Sequence, residues 1–204
     1  MRLQIKAHRF TCSSYIPFEV LHLDHIGPLT KVANGNEYIL VIIDAFSRWV
    51  ELLSQFPSKS ITAAETASMI PNHVGRFESP EVIHTDQGPA FHNELVTELV
   101  RLCGIEQSFA TAYSSEENGI VERANQEVLR HLRALLFDSR VHDKWSFEQL
   151  PLVWCIMNTV EKTSTGVTPV ELILSHSIHL PSHILTPIHN GVSSSGVRLD
   201  EWIS

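Results

Sequence analysis

The run Tyr38-Ile39-Leu40-Val41-Ile42-Ile43-Asp44 restricts the possible folds more than any other stretch of the chain. Consecutive aliphatic residues from Ile39 to Ile43 leave no polar face, so the segment reads as a buried strand. Such a strand needs partners in a sheet and further elements packed over it. Before it, Asn34-Gly35-Asn36 supplies turn chemistry, and Phe18-Glu19-Val20-Leu21-His22-Leu23-Asp24 alternates loosely as another strand until Gly27-Pro28 breaks the run. After it, Ser47-Arg48 separates a third strand, Trp49-Val50-Glu51-Leu52-Leu53, and the three form an antiparallel meander.

Downstream the period changes. Ser58 to Phe77 carries a helical pattern, with Ser60 or Thr62 as N-cap, Ala63, Ala64, Ala67, Ile70 and Val74 facing inward, and Pro71 as a point of kinking or division. Glu81 to Asp86 is a short strand that Gln87-Gly88-Pro89 stops. Asn93 to Cys103 reads as a helix with Gly104 as its C-cap, and Ile105 to Thr111 as the last strand. A polar loop, Tyr113 to Gly119, precedes a helix with Val121, Val128, Leu132 and Leu135 on its apolar stripe. Another helix runs from Lys144 to Val160, and Pro169 to Leu174 starts a short last one.

This order predicts an α/β architecture in which a five-stranded mixed sheet is flanked by helices and the first and fourth strands are neighbours. The expected organisation is an N-terminal tail or remnant over 1–15, one core over 16–180 and an irregular C-terminal tail over 181–204. With 204 residues, 43% of them hydrophobic, one well-buried domain is the natural size.

Composition removes several function classes. No apolar run reaches eighteen residues and the N-terminus leads into no apolar signal core, so neither a membrane span nor a secretory peptide is supported. Cys12, Cys103 and Cys155 are odd in number and far apart, against both a disulfide framework and a cysteine-based zinc site. His22 and His25 have a plausible ligand spacing, but without cysteine partners or a HExxH helix the twelve histidines read as scattered. The net charge of −8 counts against an autonomous nucleic-acid binder; local patches can still exist, and Arg123, Arg130, Arg133 and His131 form the expected one.

Three acidic residues stand out by context. Asp24 interrupts an apolar strand, where an unpaired charge is costly. Asp86 ends the fourth strand, where a side chain can be presented to a cleft. Glu122, thirty-five intervening residues further on, sits in the first turn of the helix that follows the polar loop. Separated carboxylates of this kind suit hard divalent ions. Two Mg²⁺ or Mn²⁺ ions, with Asp24 bridging and Asp86 and Glu122 holding one each, could promote in-line phosphodiester displacement. Asp44 also ends a strand, but it reads better as a cap on the turn toward Ser47. Glu116, Glu117 and Glu127 are poorer candidates, two in the loop and one on another helix face.

Five motifs in order resemble the catalytic core of retroviral and long-terminal-repeat retrotransposon integrases, above all gypsy-type elements. They are Asp24-His25-Ile26-Gly27-Pro28-Leu29; Tyr38 to Arg48; His84-Thr85-Asp86-Gln87-Gly88-Pro89-Ala90-Phe91; Asn118-Gly119-Ile120-Val121-Glu122-Arg123-Ala124-Asn125; and Asn158 followed by Thr165-Gly166-Val167-Thr168-Pro169. The resemblance implies a ribonuclease-H-like fold with a two-metal site of Asp24, Asp86 and Glu122. It also implies two reactions on DNA, trimming of element ends by water and joining of the 3′-hydroxyl to target DNA. By position, Tyr113 and Asn118 fall in a mobile loop beside the metals. Gln126, where many relatives carry Lys, faces the element's DNA end; Arg123, Arg130 and Arg133 on the same helix read either as DNA contacts or as a solvated helix face. A homodimer or higher oligomer, element-end and target DNA as partners, and an intracellular, nuclear site of action are expected.

The family's zinc-binding N-terminal domain and basic C-terminal domain are not visible, and Ser175 stands where Gly often follows the last motif. The chain therefore reads as a core from a larger polyprotein or a truncated genomic copy. Two other readings keep the same fold: a catalytically silent, transposon-derived scaffold, and a nuclease cleaving a nucleic-acid hybrid.

Overall fold

The structure, a computed structural model, describes residues 14–32, 35–54, 62–109, 115–139 and 145–175. Strands β1 (Val20–Ile26), β2 (Ile39–Asp44) and β3 (Val50–Leu53) form the expected antiparallel meander. After helix α1 (Ala63–Val74), strand β4 (Val82–Thr85) pairs parallel to β1. Helix α2 (Glu94–Leu102) then returns the chain to β5 (Glu106–Phe109), parallel to β4. The sheet order is β3-β2-β1-β4-β5, a mixed five-stranded sheet with the first and fourth strands side by side. Helix α3 (Ser115–Ser139), a π-helical turn over Trp145–Gln149, helix α4 (Leu150–Thr159) and helix α5 (Pro169–Leu174) complete the described elements.

Every residue of β2 is buried, as a strand without a polar face requires. Its alternation divides two cores. Leu40 and Ile42 join Leu21, Leu23 and Ile83 beneath Met69 and Ile70 of α1 and Val96 and Val100 of α2. Ile39, Val41 and Ile43 join Ile26 beneath Ile120, Ala124, Val128 and Leu132 of α3 and Val153 and Met157 of α4. The sheet is the middle layer of three.

Local details both match and correct the sequence reading. Thr62 is the N-cap of α1 and forms a capping box with Glu65; Thr168 and Glu171 repeat that box on α5. Gly104, with φ +72°, follows the α2 C-cap in the left-handed conformation that favours glycine. Helix α1 runs through Pro71 undivided, and its buried face is Thr66, Met69, Ile70 and His73. Alanine carries little directional signal: Ala64 is exposed, while Ala63 and Ala67 are only partly buried. Helix α3 begins at Ser115, so Ser115–Gly119 are helical where a loop was expected. Burial of Ile120 and Ala124 outweighs the weak propensity of Asn118 and Gly119. The stripe is Ile120, Ala124, Val128 and Leu132, with Val121 at its margin; the side chain of Leu135 lies outside the described residues.

Edge strand β3 is closed by a side chain. The Asn158 carboxamide accepts from Val50 N at 2.8 Å and donates to Val50 O at 2.9 Å, so α4 supplies the rung that a sixth strand would have made.

Candidate active site

Parallel pairing of β1 with β4 aligns His22 with His84. Their rings stack with centroids 5.0 Å apart. Two residues further along each strand, on the same face by the alternation of side chains, come Asp24 and Asp86. Asp24 lies inside the sheet with Val41 opposite it on β2, and Asp86 immediately follows β4. Helix α3 crosses this face and brings Glu122.

Asp24 is half-buried and held at both oxygens. Its Oδ1 accepts from the backbone N of His25 at 2.7 Å, and its Oδ2 accepts from Asn125 Nδ2 at 2.6 Å. Burial pushes the Asp24 carboxyl above its ordinary value. The His25 and Asn125 hydrogen bonds oppose that shift, and the negative charges of Asp86 and Glu122 add to it. Both partner carboxylates are therefore within electrostatic reach of Asp24. Asp86 is exposed; its Oδ1 accepts from Gly88 N at 2.9 Å. A Cβ on Gly88 would lie 2.9 Å from that oxygen and 3.2 Å from the other, so a side chain there would displace the carboxylate. Glu122 is exposed, and lies beyond the first turn because α3 starts early.

The charges of Asp86 and Glu122 thus both act on Asp24. None of Asp24, Asp86 and Glu122 enters the ion pairs formed among the described residues, which join Lys31 to Glu37, Arg76 to Glu51, Arg101 to Glu98 and Lys162 to Glu127. Among the described residues no set of three His, Cys, Asp or Glu side chains converges closely enough to hold an ion. Like charges repel, and Asp24 and Asp86 have each turned to a nearby N–H donor. As hard oxygen donors on separate elements, uncompensated by lysine or arginine, the three side chains fit Mg²⁺ or Mn²⁺ better than a softer metal.

Asp44 is excluded from this corner. Its Oδ1 accepts from Phe18 N at 2.9 Å and its Oδ2 from Ser47 N at 2.8 Å and Ser47 Oγ, the turn-capping role expected of it. His22 and His25 face opposite sides of the sheet. His25 stacks on Phe91 at 4.5 Å, away from His84, so the two histidines cannot share an ion. Burial first, then the His84 and Arg48 charges, lower the His22 pKa to about 3.

Arg123, Gln126, Arg130 and Arg133 are exposed along one face of α3. His131, expected in the same patch, is 6% exposed and points inward. Tyr113 lies outside the described residues. Asn118 is helical rather than in a loop, and its side chain is likewise outside the description. Asn125 was missed. Three residues beyond Glu122, it shares that residue's side of the helix, and the i, i+3 spacing was the available signal. A short amide there can reach the strand beneath, as the hydrogen bond to Asp24 shows.

Residues 15–115 match the family model described as integrase core domain. The Pro-Pol polyprotein of feline foamy virus is 32% identical over 165 residues, which are 81% of this chain and 14% of that polyprotein. The retrovirus-related Pol polyprotein from transposon 412 of Drosophila melanogaster is 24% identical over 178 residues, 85% of this chain and 14% of that relative. The chain thus spans a small part of these curated relatives. Among solved structures, the HTLV-2 integrase catalytic core domain in complex with magnesium, in a trimeric form, aligns with a TM-score of 0.58 at 22% identity. That alignment covers 78% of this chain and 98% of the other, and it shows the ribonuclease-H-like fold.

Proposed function

Because this chain belongs to the integrase core domain family, we propose that it catalyses metal-dependent 3′-end processing and strand transfer on DNA. The observation that supports the reading is that Asp86, just after β4, and Glu122, on α3, act electrostatically on Asp24 of β1, and that none of the three enters an ion pair among the described residues. In the first step a water oxygen bonds to phosphorus near an element end and the P–O3′ bond breaks, leaving a 3′-hydroxyl. In the second, that hydroxyl oxygen bonds to a phosphorus of target DNA and the P–O3′ bond there breaks. Two divalent cations, when bound, neutralise charge on the entering and leaving oxygens.

The protein's own part is to aim the ligands. Asn125 and the His25 N–H fix the Asp24 carboxylate from two sides. The Gly88 N–H fixes Asp86, and α3 presents Glu122 on the exposed side where a duplex can approach. Burial keeps the Asp24 corner partly dry, which strengthens its attraction for a cation. The exposed face of α3 with Arg123, Gln126 and Arg130 is the surface for DNA ends in this reading, and a homodimer or larger assembly working in the nucleus completes it.

The test is a strand-joining assay with labelled duplex and Mn²⁺. Asp24→Asn, Asp86→Asn and Glu122→Gln should each abolish product while circular dichroism shows an intact fold; full activity in Glu122→Gln would overturn the assignment.

A further inference from the structure

The parallel strands β1, β4 and β5 end along one edge of the sheet, and the proposed carboxylates use only part of it. Strand β5 stops at Phe109, which is paired with Thr85, the residue before Asp86. At that level an exposed imidazole, His92, lies against the half-buried Phe109 ring, with centroids 4.7 Å apart and planes at 45°. The chemistry described above uses neither ring.

The loop that carries His92 is the one that holds Asp86. The Gly88 N–H donates to Asp86 Oδ1 at 2.9 Å, and the Gly88 carbonyl accepts from His92 N at 2.8 Å and from Phe91 N at 3.0 Å. The residue that fixes the carboxylate therefore also fixes the backbone of His92. Both neighbours of His92 are anchored. Phe91 is 1% exposed, stacks on His25 at 4.5 Å, and its carbonyl accepts from Gln107 Nε2 of β5 at 3.1 Å. Asn93 caps α2, its Oδ1 accepting from Val96 N at 2.9 Å. An aromatic side chain on so firmly held a backbone, and open to solvent, is preorganised for a flat ligand, because little conformational entropy remains to be lost on binding.

Alternation along β4 puts Asp86 on the α3 side of the sheet and Thr85, with its partner Phe109, on the α2 side. The ring pair and the carboxylates thus lie on opposite faces of one edge, and a DNA end laid across that edge meets both.

We propose that His92 and Phe109 form a stacking platform for an unpaired nucleobase at the end of the DNA substrate. The site rests on the DNA-directed reading above and deepens it. Trimming at a 3′ end removes nucleotides from one strand and leaves the complementary 5′ strand overhanging, so the reaction itself supplies a base without a pairing partner. Such a base has a π face that the His92 ring can cover, and stacking of this kind tolerates any base. Held on the platform, the overhang is kept away from the carboxylates that the new 3′-hydroxyl must reach.

The test compares two duplexes, one with a short 5′ overhang and one blunt, each carrying 2-aminopurine at the 5′ end, titrated with the 204-residue chain in EDTA. Stacking of one base typically changes affinity by about 10-fold, so the overhang should bind about 10-fold tighter than the blunt end, with quenching of the unpaired 2-aminopurine. His92→Ala and His92→Gln should bring that ratio to about 1, whereas His92→Phe, which keeps a ring and removes the polar nitrogens, should retain it. Leu102→Gln, exposed at the far end of α2, should leave the ratio unchanged. His92 is exposed, so its substitutions should leave the circular dichroism spectrum intact.

Equal affinity for the two duplexes, a ratio that survives in His92→Ala, or its loss in His92→Phe would each overturn the proposal. Retention in His92→Gln would do the same, because a polar contact would then replace stacking. Absence of measurable binding of either duplex also overturns it. The readout is separate from the chemistry, since no divalent cation is present. Strand joining by a chain without overhang preference would sink the platform and leave the enzymatic reading; overhang preference in a chain that joins nothing would do the reverse.

Discussion

At the residue scale, Asp24 sets stability against function. Burial raises its pKa, so at neutral pH the folded state carries a charge that the unfolded chain bears more easily. A raised folded-state pKa gives stability below the unfolded value of 3.8 that is lost as pH rises through the folded value. Asp24→Asn should therefore abolish strand joining while leaving the melting temperature equal or higher, provided the amide retains the His25 and Asn125 contacts; scanning calorimetry beside the joining assay checks both. Gly88 offers a gentler perturbation. In Gly88→Ala the new methyl group must displace the Asp86 carboxylate, and a misplacement of about 1 Å typically costs on the order of 100-fold in rate. Activity should fall by about that factor with little change in urea denaturation. His73 is the residue-scale probe of pH. It is 2% exposed, neither ring nitrogen has a partner, and burial followed by the Arg76 charge lowers its pKa to about 4. Stability from a depressed histidine is complete above the unfolded value of 6.5 and is lost as pH falls toward about 4. His73→Phe, packed between Phe18 and Phe77, should flatten the fall in stability over that window, by roughly 2–4 kcal/mol at its acid end.

At the scale of elements, the edge of the sheet is the exposed weakness. Strand β3 presents Val50 N and O outward, and one carboxamide from α4 satisfies both. Asn158→Leu should leave two buried peptide groups unpaired and cost about 3 kcal/mol, measured as a shift of the urea midpoint with unchanged slope. Capping boxes, the C-terminal glycine of α2 and the aliphatic run of β2 were legible in the sequence, because each depends on a few adjacent residues. The start of α3 was not legible. Polar residues and a glycine signal a loop locally, whereas burial of Ile120 and Ala124 against the sheet decides for helix. For the same reason the inner face of α1 was legible only in part: Ile70 is buried and Ala67 and Val74 pack against the core, but Ala64 is exposed, and Thr66 and His73, polar by type, were left out of it.

At the scale of the whole molecule, histidine couples pH to the fold. His22, His25 and His73 are all held neutral by burial, with pKa values of about 3, 4 and 4. Each loses stabilising linkage as pH falls below 6.5, so melting temperature should decline steadily from pH 6.5 toward pH 4, more steeply than His73 alone can explain. A flat profile over that range would show that these rings are charged or solvated in the fold. No described helix is long and apolar enough to cross a membrane.

Sequence alone determined the order of strands and helices and the family to which five ordered motifs point, and it singled out three carboxylates by their strand-end and helix contexts as the proposed site. Those features are local or depend on spacing along the chain. Only the tertiary structure decided what surrounds the carboxylates: Asn125 reaching across from α3 to Asp24, Asp44 spent on its own turn, and His131 turned inward. Each depends on which faces of the sheet and of α3 meet, and that meeting follows from burial of the whole apolar surface rather than from any stretch read by itself.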